Sequence, residues 1–327
     1  MNVTKEDVVA AYRLFLNREP ENEEVVYRWL SSASSLVQLR EGFLNSIEYT
    51  QRNYALMTSM SGLEPSIRSQ LHFELNYSEL RQLFAEVKRT WTYLGEVDPY
   101  WAVLSSDEFR GLRDGEVLER FYASGADDMT LIKNTLKRNG IQLPENVIVV
   151  EYGCGLGRAT FHLAKYFREV VGIDISRPML DVASSRMQAN GIQNVTFKLI
   201  DAPEDIKIPM CDLFFSLIVL QHSPPPIISL VVRNAIESLN PGGVALFQVP
   251  TYIPNYCFTA NEYLSSASRD IFKPHHKQYE IHAIRQVDLF NLIYEAGGKM
   301  LEVIENNMLG SLFPGAMSNT LLVQKAI

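Results

Sequence analysis

The sequence predicts an α/β fold built on a doubly wound, mostly parallel sheet, and two patterns indicate it. From residue 146 onward, short apolar runs rich in β-branched residues alternate with helical stretches, which is the order of a parallel sheet with crossover helices. The runs are too short for helices, and their unbroken hydrophobicity is typical of strands buried on both faces. The predicted strands are residues 147–150, 170–174, 195–201, 212–220 and 244–249, with two further strands at 301–304 and 320–324.

Length and composition limit the class of protein. The chain has 327 residues, of which 46% are hydrophobic and 21% charged, so it can bury a sizeable core and has room for about two domains. Its formal net charge is −8, and it lacks a long run of lysines and arginines. These features argue against a duplex nucleic-acid partner, because the phosphates of a duplex require a basic protein face.

Three further features predict a cytoplasmic protein without a membrane span. The longest apolar run, residues 213–220, is far shorter than the roughly 20 residues that a membrane helix needs. Residues 1–7 show no signal-peptide h-region. Cys154, Cys211 and Cys257 are odd in number and lack metal-site spacing, so free thiols in a reducing compartment are expected rather than disulfides.

The first part of the chain is predicted to be helical. Three amphipathic stretches, at about residues 4–17, 23–31 and 35–49, predict a small helical module. A polar, proline-terminated stretch predicts a linker, and a helix with an apolar stripe begins near Ser78 and caps the next domain. The predicted domains are the helical module at 1–56, a linker and helical cap at 57–139, and the sheet domain at 140–327.

The turn after the first predicted strand carries the clearest chemical signal. Gly153, Gly155 and Gly157 occupy alternate positions there, where glycine lets the backbone approach a ligand closely. A dinucleotide-binding turn would place its third glycine at position 158, which is Arg158 in this chain. Glu151 lies two residues before the first glycine, where a carboxylate would repel a pyrophosphate and attract an ammonium group. The turn therefore predicts a nucleotide-like ligand that is not a dinucleotide.

The pattern E-x-G-x-G-x-G at residues 151–157 resembles motif I of the class I S-adenosylmethionine-dependent methyltransferases. The resemblance covers residues 144–327 and implies a Rossmann-like, mostly parallel sheet of seven strands with an antiparallel last strand. It implies S-adenosylmethionine as the cofactor, which carries an α-amino group and no phosphate. The cofactor-binding residues that it implies are Glu151, Gly153, Cys154, Gly155, Gly157, Asp174, Ile175, Asp201, Ala202, Ser216, Gln221 and Tyr122.

Three of these residues have a specific expected role. Asp174 ends the second strand about 20 residues after the first glycine, the interval at which such folds place a ribose-binding acid. A helix N-cap is the alternative for Asp174, because Pro178 follows near the first turn of a helix. Asp201 follows the third strand, where members of the family often bind the adenine amino group, and Asp205 is the competing acid. Tyr122 lies in a stretch that resembles the family segment folded over the methionine end of the cofactor.

His222 is the candidate catalytic residue. The fourth strand ends in Gln221 and His222 before a proline-rich turn, at the sheet edge where ligands of such folds bind. An acceptor hydroxyl must lose a proton, and an unperturbed imidazole titrates near neutral pH, so His222 is a candidate general base. A structural histidine that bonds a loop carbonyl is the alternative.

A long segment between the fifth strand and a helix at 287–296 is predicted to be a loop that shapes the acceptor pocket. Two adjacent histidines in it are further candidate bases. They do not predict a metal site, because adjacent residues rarely ligate one ion without additional carboxylates. The side chains that could line the pocket are Tyr252, Tyr256, Phe258, His275, His276 and Tyr279.

The leading functional hypothesis is an O-methyltransferase that acts on a glycan or a glycan precursor. The strings A-Y-R-L-F-L-N-R-E-P and Y-R-W-L resemble a helical module of unassigned function in bacterial proteins of cell-surface and glycan biosynthesis. A small-molecule or lipid acceptor is one alternative. The other is a non-catalytic scaffold that holds the cofactor while the N-terminal helices recruit a protein partner or self-associate.

Overall fold

The computed structural model describes residues 3–16, 18–44, 46, 48, 75–112, 115–254, 256–270, 280–305 and 315–326. The chain divides into two compact units, Met1–Arg68 and Ser69–Ile327. No helix within the described ranges combines the length and the hydrophobicity that a bilayer crossing requires.

The first unit is helical, as predicted, and its described residues form helices α1 at Lys5–Leu16, α2 at Glu23–Ser32 and α3 at Leu36–Leu44. An aromatic stack holds them together, because the ring of Trp29 lies on that of Phe43 with centroids 4.5 Å apart. Gly42 makes this stack possible, since a Cβ there would lie only 2.5 Å from the Trp29 ring.

A seven-stranded sheet forms the centre of the second unit. The strands are β1 Ile148–Tyr152, β2 Glu169–Asp174, β3 Val195–Leu199, β4 Cys211–Ser216, β5 Leu239–Tyr252, β6 Gly298–Glu305 and β7 Met317–Lys325. Their order across the sheet is β3-β2-β1-β4-β5-β7-β6. Strands β1 to β5 pair in parallel, whereas β7 lies antiparallel between β5 and β6. This arrangement confirms the predicted Rossmann-like sheet and its antiparallel end.

Helices cover both faces of the sheet, because successive strand residues point to opposite sides. Phe214 packs on one face with helices that follow β4 and β5, and Leu213 and Phe215 pack on the other with helices that flank β1. The helices of this unit are α4 Tyr77–Val97, α5 Pro99–Val103, α6 Glu116–Ala123, α7 Gly125–Arg138, α8 Thr160–Tyr166, α9 Arg177–Ala189, α10 Pro225–Glu237, α11 Ala260–Asp270 and α12 Gln286–Glu295.

Helix α4 begins close to the start predicted near Ser78 and carries its apolar stripe toward the sheet. Asn76 and Glu79 form a reciprocal capping box, in which each side chain accepts from the backbone N–H of the other residue. Leu83, Phe84 and Val87 are buried on its inner face. The helix therefore packs over the edge of the sheet where β2 and β4 end.

The fourth strand is shorter than predicted. It ends at Ser216 rather than at Leu220, because Ile218 adopts a left-handed backbone with φ of 59°. Such a conformation is strained for a β-branched residue and breaks the strand. The backbone N–H of Ile218 donates to the Gln248 side-chain oxygen at 3.1 Å, which holds the turn in place. A short 3-10 turn at Leu220–His222 follows.

The predicted loop after β5 contains a helix, so that prediction is wrong for residues 260–270. Thr259 and Glu262 supply the start signal for α11. The Glu262 N–H donates to the Thr259 hydroxyl oxygen at 3.3 Å, and that hydroxyl donates to the Glu262 carboxylate at 2.8 Å. His275, His276 and Tyr279 lie outside the described residues.

Candidate functional site

A cavity of about 310 Å³ opens where β1, β2 and β4 end. In an open α/β sheet this edge is where ligands bind, because the turns after parallel strands converge there. Helix α4, residues 102–105 and Met179 close the opposite side. The lining residues are Val87, Trp91, Ala102, Val103, Leu104, Ser105, Tyr152, Gly153, Gly155, Asp174, Ile175, Met179, Ile218, Val219, Gln221, His222 and Ser223.

The three glycines of the turn after β1 have different surroundings. All three have left-handed backbones, with φ of 75° at Gly153, 51° at Gly155 and 75° at Gly157. A Cβ on Gly153 would lie 2.2 Å from a methyl of Val219, and one on Gly157 would lie 2.9 Å from the Met187 methyl. Gly153 and Gly155 line the cavity, whereas Gly157 lets α9 pack against the turn.

Asp174 connects the glycine turn to the end of β2. One carboxylate oxygen accepts from the Gly155 N–H and the other from the Ser176 N–H, each at 2.8 Å. Burial raises the pKa of Asp174, and these two N–H donors oppose the rise. Each oxygen retains a second lone pair, so the carboxylate can still accept from ligand hydroxyls. The N-cap of α9 is Ser176, so Asp174 orders the turn before the helix rather than capping it.

Glu151 is buried behind the cavity wall and does not line it. Its carboxylate accepts from the Thr160 hydroxyl at 2.5 Å. Burial raises the pKa of Glu151 to about 8, because few groups offset the loss of water around its charged form. The neighbouring Arg158 instead pairs with the buried Asp128, at 2.5 Å.

Asp201, the expected adenine ligand, lies outside the cavity wall. Its side chain is 64% exposed and forms an ion pair with Lys88 of α4. A parallel ion pair joins Arg81 of the same helix to Glu204. The backbone N–H of Ala202 donates to the Asp205 carboxylate at 3.1 Å, so Asp205 orders the turn after β3.

The remaining expected contacts lie in the packed interior. The Tyr122 ring is buried among helical residues, with the Arg186 guanidinium 4.3 Å from its centroid. The Ser216 hydroxyl donates to the Tyr152 carbonyl at 3.0 Å, and Cys154 is a buried free thiol. None of these three side chains lines the cavity that is formed by the described residues.

His222 lines the cavity and has a defined tautomer. Its Nδ1–H donates to the Glu280 carbonyl at 3.0 Å, because a carbonyl can only accept. In the neutral ring Nε2 therefore keeps its lone pair, and the Gln221 amide N–H donates to it at 3.3 Å. Burial lowers the pKa of His222 to about 4, so the ring is neutral at pH 7. The Trp91 ring centroid lies 4.9 Å from that of His222.

A network of buried, hydrogen-bonded side chains supports His222. The Gln248 amide N–H donates to the Gln221 side-chain oxygen at 3.4 Å and also to the Ser318 hydroxyl. Gln221, Gln248 and Ser318 are all buried, so the loss of one of these hydrogen bonds would leave polar groups without partners. The orientation of the Gln221 amide beside His222 is therefore specified from β5 and β7.

Several residues of the site could not be found from sequence patterns. Trp91 is one of the apolar residues in the stripe of the helix that begins near Ser78, and that pattern does not show that it lies against His222. Glu280 and His282 were not singled out, although both contact the turn after β4. Tyr256 and Phe258, predicted for the pocket, pack around His282 and not on the cavity. No cluster of metal-ligating side chains exists among the residues that the structure describes.

Comparison with known proteins finds relatives of part of the sheet domain. Residues 149–243 match the family model of a methyltransferase domain. Trans-aconitate 2-methyltransferase of Variovorax paradoxus is 35% identical over 116 residues, which are 34% of this chain and 41% of that protein. The ubiquinone biosynthesis O-methyltransferase of Coxiella burnetii is 28% identical over 104 residues, which are 30% of this chain and 42% of that protein. The chain therefore spans less than half the length of these curated relatives.

Among solved structures, magnesium protoporphyrin IX methyltransferase of Synechocystis with bound SAH is 16% identical. The structural alignment covers 74% of this chain and 100% of the methyltransferase chain, with a TM-score of 0.49. The family match coincides with strands β1 to β4 and the glycine turn that form one wall of the cavity. Residues 149–243 are thus similar to a methyltransferase domain.

Proposed function

We propose that the chain transfers the methyl group of S-adenosylmethionine to an acceptor hydroxyl, with His222 as general base. One observation carries the proposal. Gly155 and Asp174, which suit a nucleoside, line the same cavity as the His222 imidazole, whose Nε2 carries no proton. When bound, the cofactor supplies an electrophilic methyl group. The acceptor hydroxyl is the group that His222 would deprotonate.

The residues of the cavity fit the cofactor in charge and shape. Asp174 would accept from the ribose hydroxyls with its remaining lone pairs, and Ile175 would pack beside the adenine. Gly153 and Gly155 leave backbone exposed to the cavity without a Cβ in the way. Glu151, which lies behind the wall, would attract the α-ammonium group across it. The wall itself carries no phosphate-binding lysine or arginine among its described residues.

Asp201 would reach the adenine amino group after releasing Lys88. Lys88→Met is therefore expected to strengthen S-adenosylhomocysteine binding by about threefold, since an exposed ion pair is worth roughly 0.2–1 kcal/mol. Isothermal titration measures the change. Arg81→Met is the matched control, because it removes a parallel ion pair to Glu204 and should leave the affinity unchanged. Equal or weaker binding by the Lys88 variant would exclude Asp201 as the adenine ligand.

His222 would take the hydroxyl proton at Nε2, where the acceptor hydroxyl replaces the hydrogen bond that the Gln221 amide donates in the free chain. Its pKa of about 4 keeps the ring neutral at pH 7 but makes it a weak base, so alignment of the acceptor must supply most of the rate. Trp91 and Gln221 restrict the ring from two sides. Proton removal by the base is then expected to accelerate the reaction by about 10²–10⁴-fold.

His222→Ala is expected to retain cofactor affinity and to lower turnover by about 10²–10⁴-fold, because only proton removal is lost. Turnover is measured as transfer of a labelled methyl group to the acceptor, and affinity by titration with S-adenosylhomocysteine. His162→Ala is the matched control, since His162 donates to the Tyr122 carbonyl away from the cavity. Unchanged turnover in the His222 variant would remove it from the role of base.

The acceptor that we propose first is a glycan or glycan precursor, supported by the resemblance of the N-terminal helices. A second acceptor class is favoured by the cavity itself, whose lining includes the apolar side chains of Trp91, Ile218 and Leu104. Such a lining suits an uncharged, hydroxyl-bearing small molecule. Labelled S-adenosylmethionine, incubated separately with surface glycans and with an organic extract of the source cells, discriminates the two by the fraction that becomes labelled.

A further inference from the structure

We infer that Glu280 and His282 form a positioning unit that fixes the orientation and the tautomer of His222. The inference extends the proposed function, in which His222 is the base. It concerns residues 280–284, which follow α11 in the chain and lie against the turn after β4. Neither Glu280 nor His282 lines the cavity, so each would act through His222 rather than on a substrate.

Glu280 contacts both histidines with different groups. Its backbone carbonyl accepts from His222 Nδ1–H at 3.0 Å. Its carboxylate accepts from His282 Nε2–H at 3.3 Å. The carbonyl that sets the His222 tautomer therefore belongs to the residue whose side chain is held by the second histidine.

The backbone on either side of Glu280 is tied to the strand ends. The His282 N–H donates to the Gln221 carbonyl at 2.7 Å, next to the candidate base. The Ile284 N–H donates to the carbonyl of Pro250, near the end of β5, at 3.1 Å. These two bonds hold the segment against the turn that carries His222.

The His282 ring is buried, with only 5% of its surface exposed, and both its nitrogens have partners. Nε2–H donates to the Glu280 carboxylate, and Nδ1 lies 2.8 Å from the Tyr256 hydroxyl oxygen, within hydrogen-bond distance. The rings of Phe258 and Tyr263 surround it at centroid distances of 5.8 and 5.6 Å. Moving this ring would leave buried polar groups unpaired, so it is a firm anchor for Glu280.

The two histidines donate to Glu280 through opposite ring nitrogens, and one supports the other. His282 donates from Nε2 to the carboxylate, whereas His222 donates from Nδ1 to the carbonyl. If the His282 side chain is removed, the Glu280 carboxylate loses this donor, and only the two backbone bonds still hold the Glu280 carbonyl near His222. The ring of His222 can then exchange its proton between the two nitrogens, and Nε2 is no longer the defined basic atom.

The tautomers are measured by long-range 1H–15N correlation spectra of the full chain labelled at its six histidines, at pH 7. His222→Gln assigns the His222 signals. In the wild type we expect a protonated Nδ1 and an unprotonated Nε2. In His282→Ala we expect a mixture of the two tautomers, while S-adenosylhomocysteine affinity stays unchanged. His282→Gln keeps a donor for Glu280 and should restore the wild-type signals.

Phe258→Leu is the matched control, because it trims the packing around His282 and leaves its hydrogen bonds in place. If His282→Ala does not fold, Glu280→Ala gives the same comparison, since it removes the carboxylate and keeps the carbonyl. A single unchanged His222 tautomer in the folded variant would overturn the inference, as would an equal change in Phe258→Leu. The measurement needs no acceptor, so its failure is distinct from an absence of methyl transfer or of cofactor binding.

Discussion

Gly153→Ala is expected to destabilise the folded chain by about 2–5 kcal/mol, the sum of a strained left-handed backbone and an overpacked contact. The added Cβ would lie 2.2 Å from the Val219 methyl, and φ at this position is 75°. The loss is a large part of the roughly 5–15 kcal/mol that stabilises a typical domain. Denaturation by urea, followed by circular dichroism, measures the free energy of unfolding.

Substitutions at two other glycines separate the backbone strain from the packing clash. Gly191 has φ of 67°, and a Cβ added there would meet no atom within 4 Å. Gly191→Ala should therefore lower the free energy of unfolding only by the cost of the strained backbone. That cost is about 1–2 kcal/mol. Gly155→Ala should fold with moderate strain and bind S-adenosylhomocysteine poorly, because its Cβ would enter the cavity. Equal stability of the Gly153 and Gly191 variants would contradict the packing of Val219 on the turn.

Cofactor affinity is expected to fall about tenfold for each pH unit below 8, the slope of one linked proton. Glu151 has a pKa of about 8 in the free chain, so its carboxylate becomes protonated as the pH falls through that value. Only the ionised form attracts the α-ammonium group of the ligand, so binding must expel the proton. Above about pH 8 the ligand amine itself loses its charge and affinity falls again. Isothermal titration of S-adenosylhomocysteine between pH 6 and 9 records this maximum.

Glu151→Gln tests the assignment, because an amide of the same shape does not titrate. This variant should bind more weakly than the wild type at pH 8, and its affinity should not fall further as the pH is lowered. A wild-type profile that is flat below pH 8, or a variant with the same slope as the wild type, would show that Glu151 does not meet the ammonium group.

Much of the fold and part of the site follow from local sequence patterns. The buried strands were predictable because their apolar runs are short and continuous, and the ends of parallel strands meet at one edge. Gly153, Gly155, Asp174, Ile175, Gln221 and His222 consequently lie around one cavity. The turn at Ile218 was missed because its strained backbone depends on the Gln248 side chain, which comes from another strand.

The support around His222 was not predictable for the same physical reason. Glu280 reaches it across 58 residues of chain, and Trp91 reaches it from a helix that precedes the sheet. Such contacts depend on tertiary packing, which leaves no periodic trace in the sequence. The Thr259 and Glu262 capping pair, by contrast, was a local signal for α11 and could have been read.

The central claim is that the cavity at the ends of β1, β2 and β4 binds S-adenosylmethionine. Isothermal titration of the full chain with S-adenosylhomocysteine at pH 8 tests it most directly, with NAD as the comparison ligand. We expect a single site for S-adenosylhomocysteine that is lost in Gly155→Ala, and no heat with NAD. Absence of binding at high micromolar concentration, or binding that Gly155→Ala leaves unchanged, would contradict the claim.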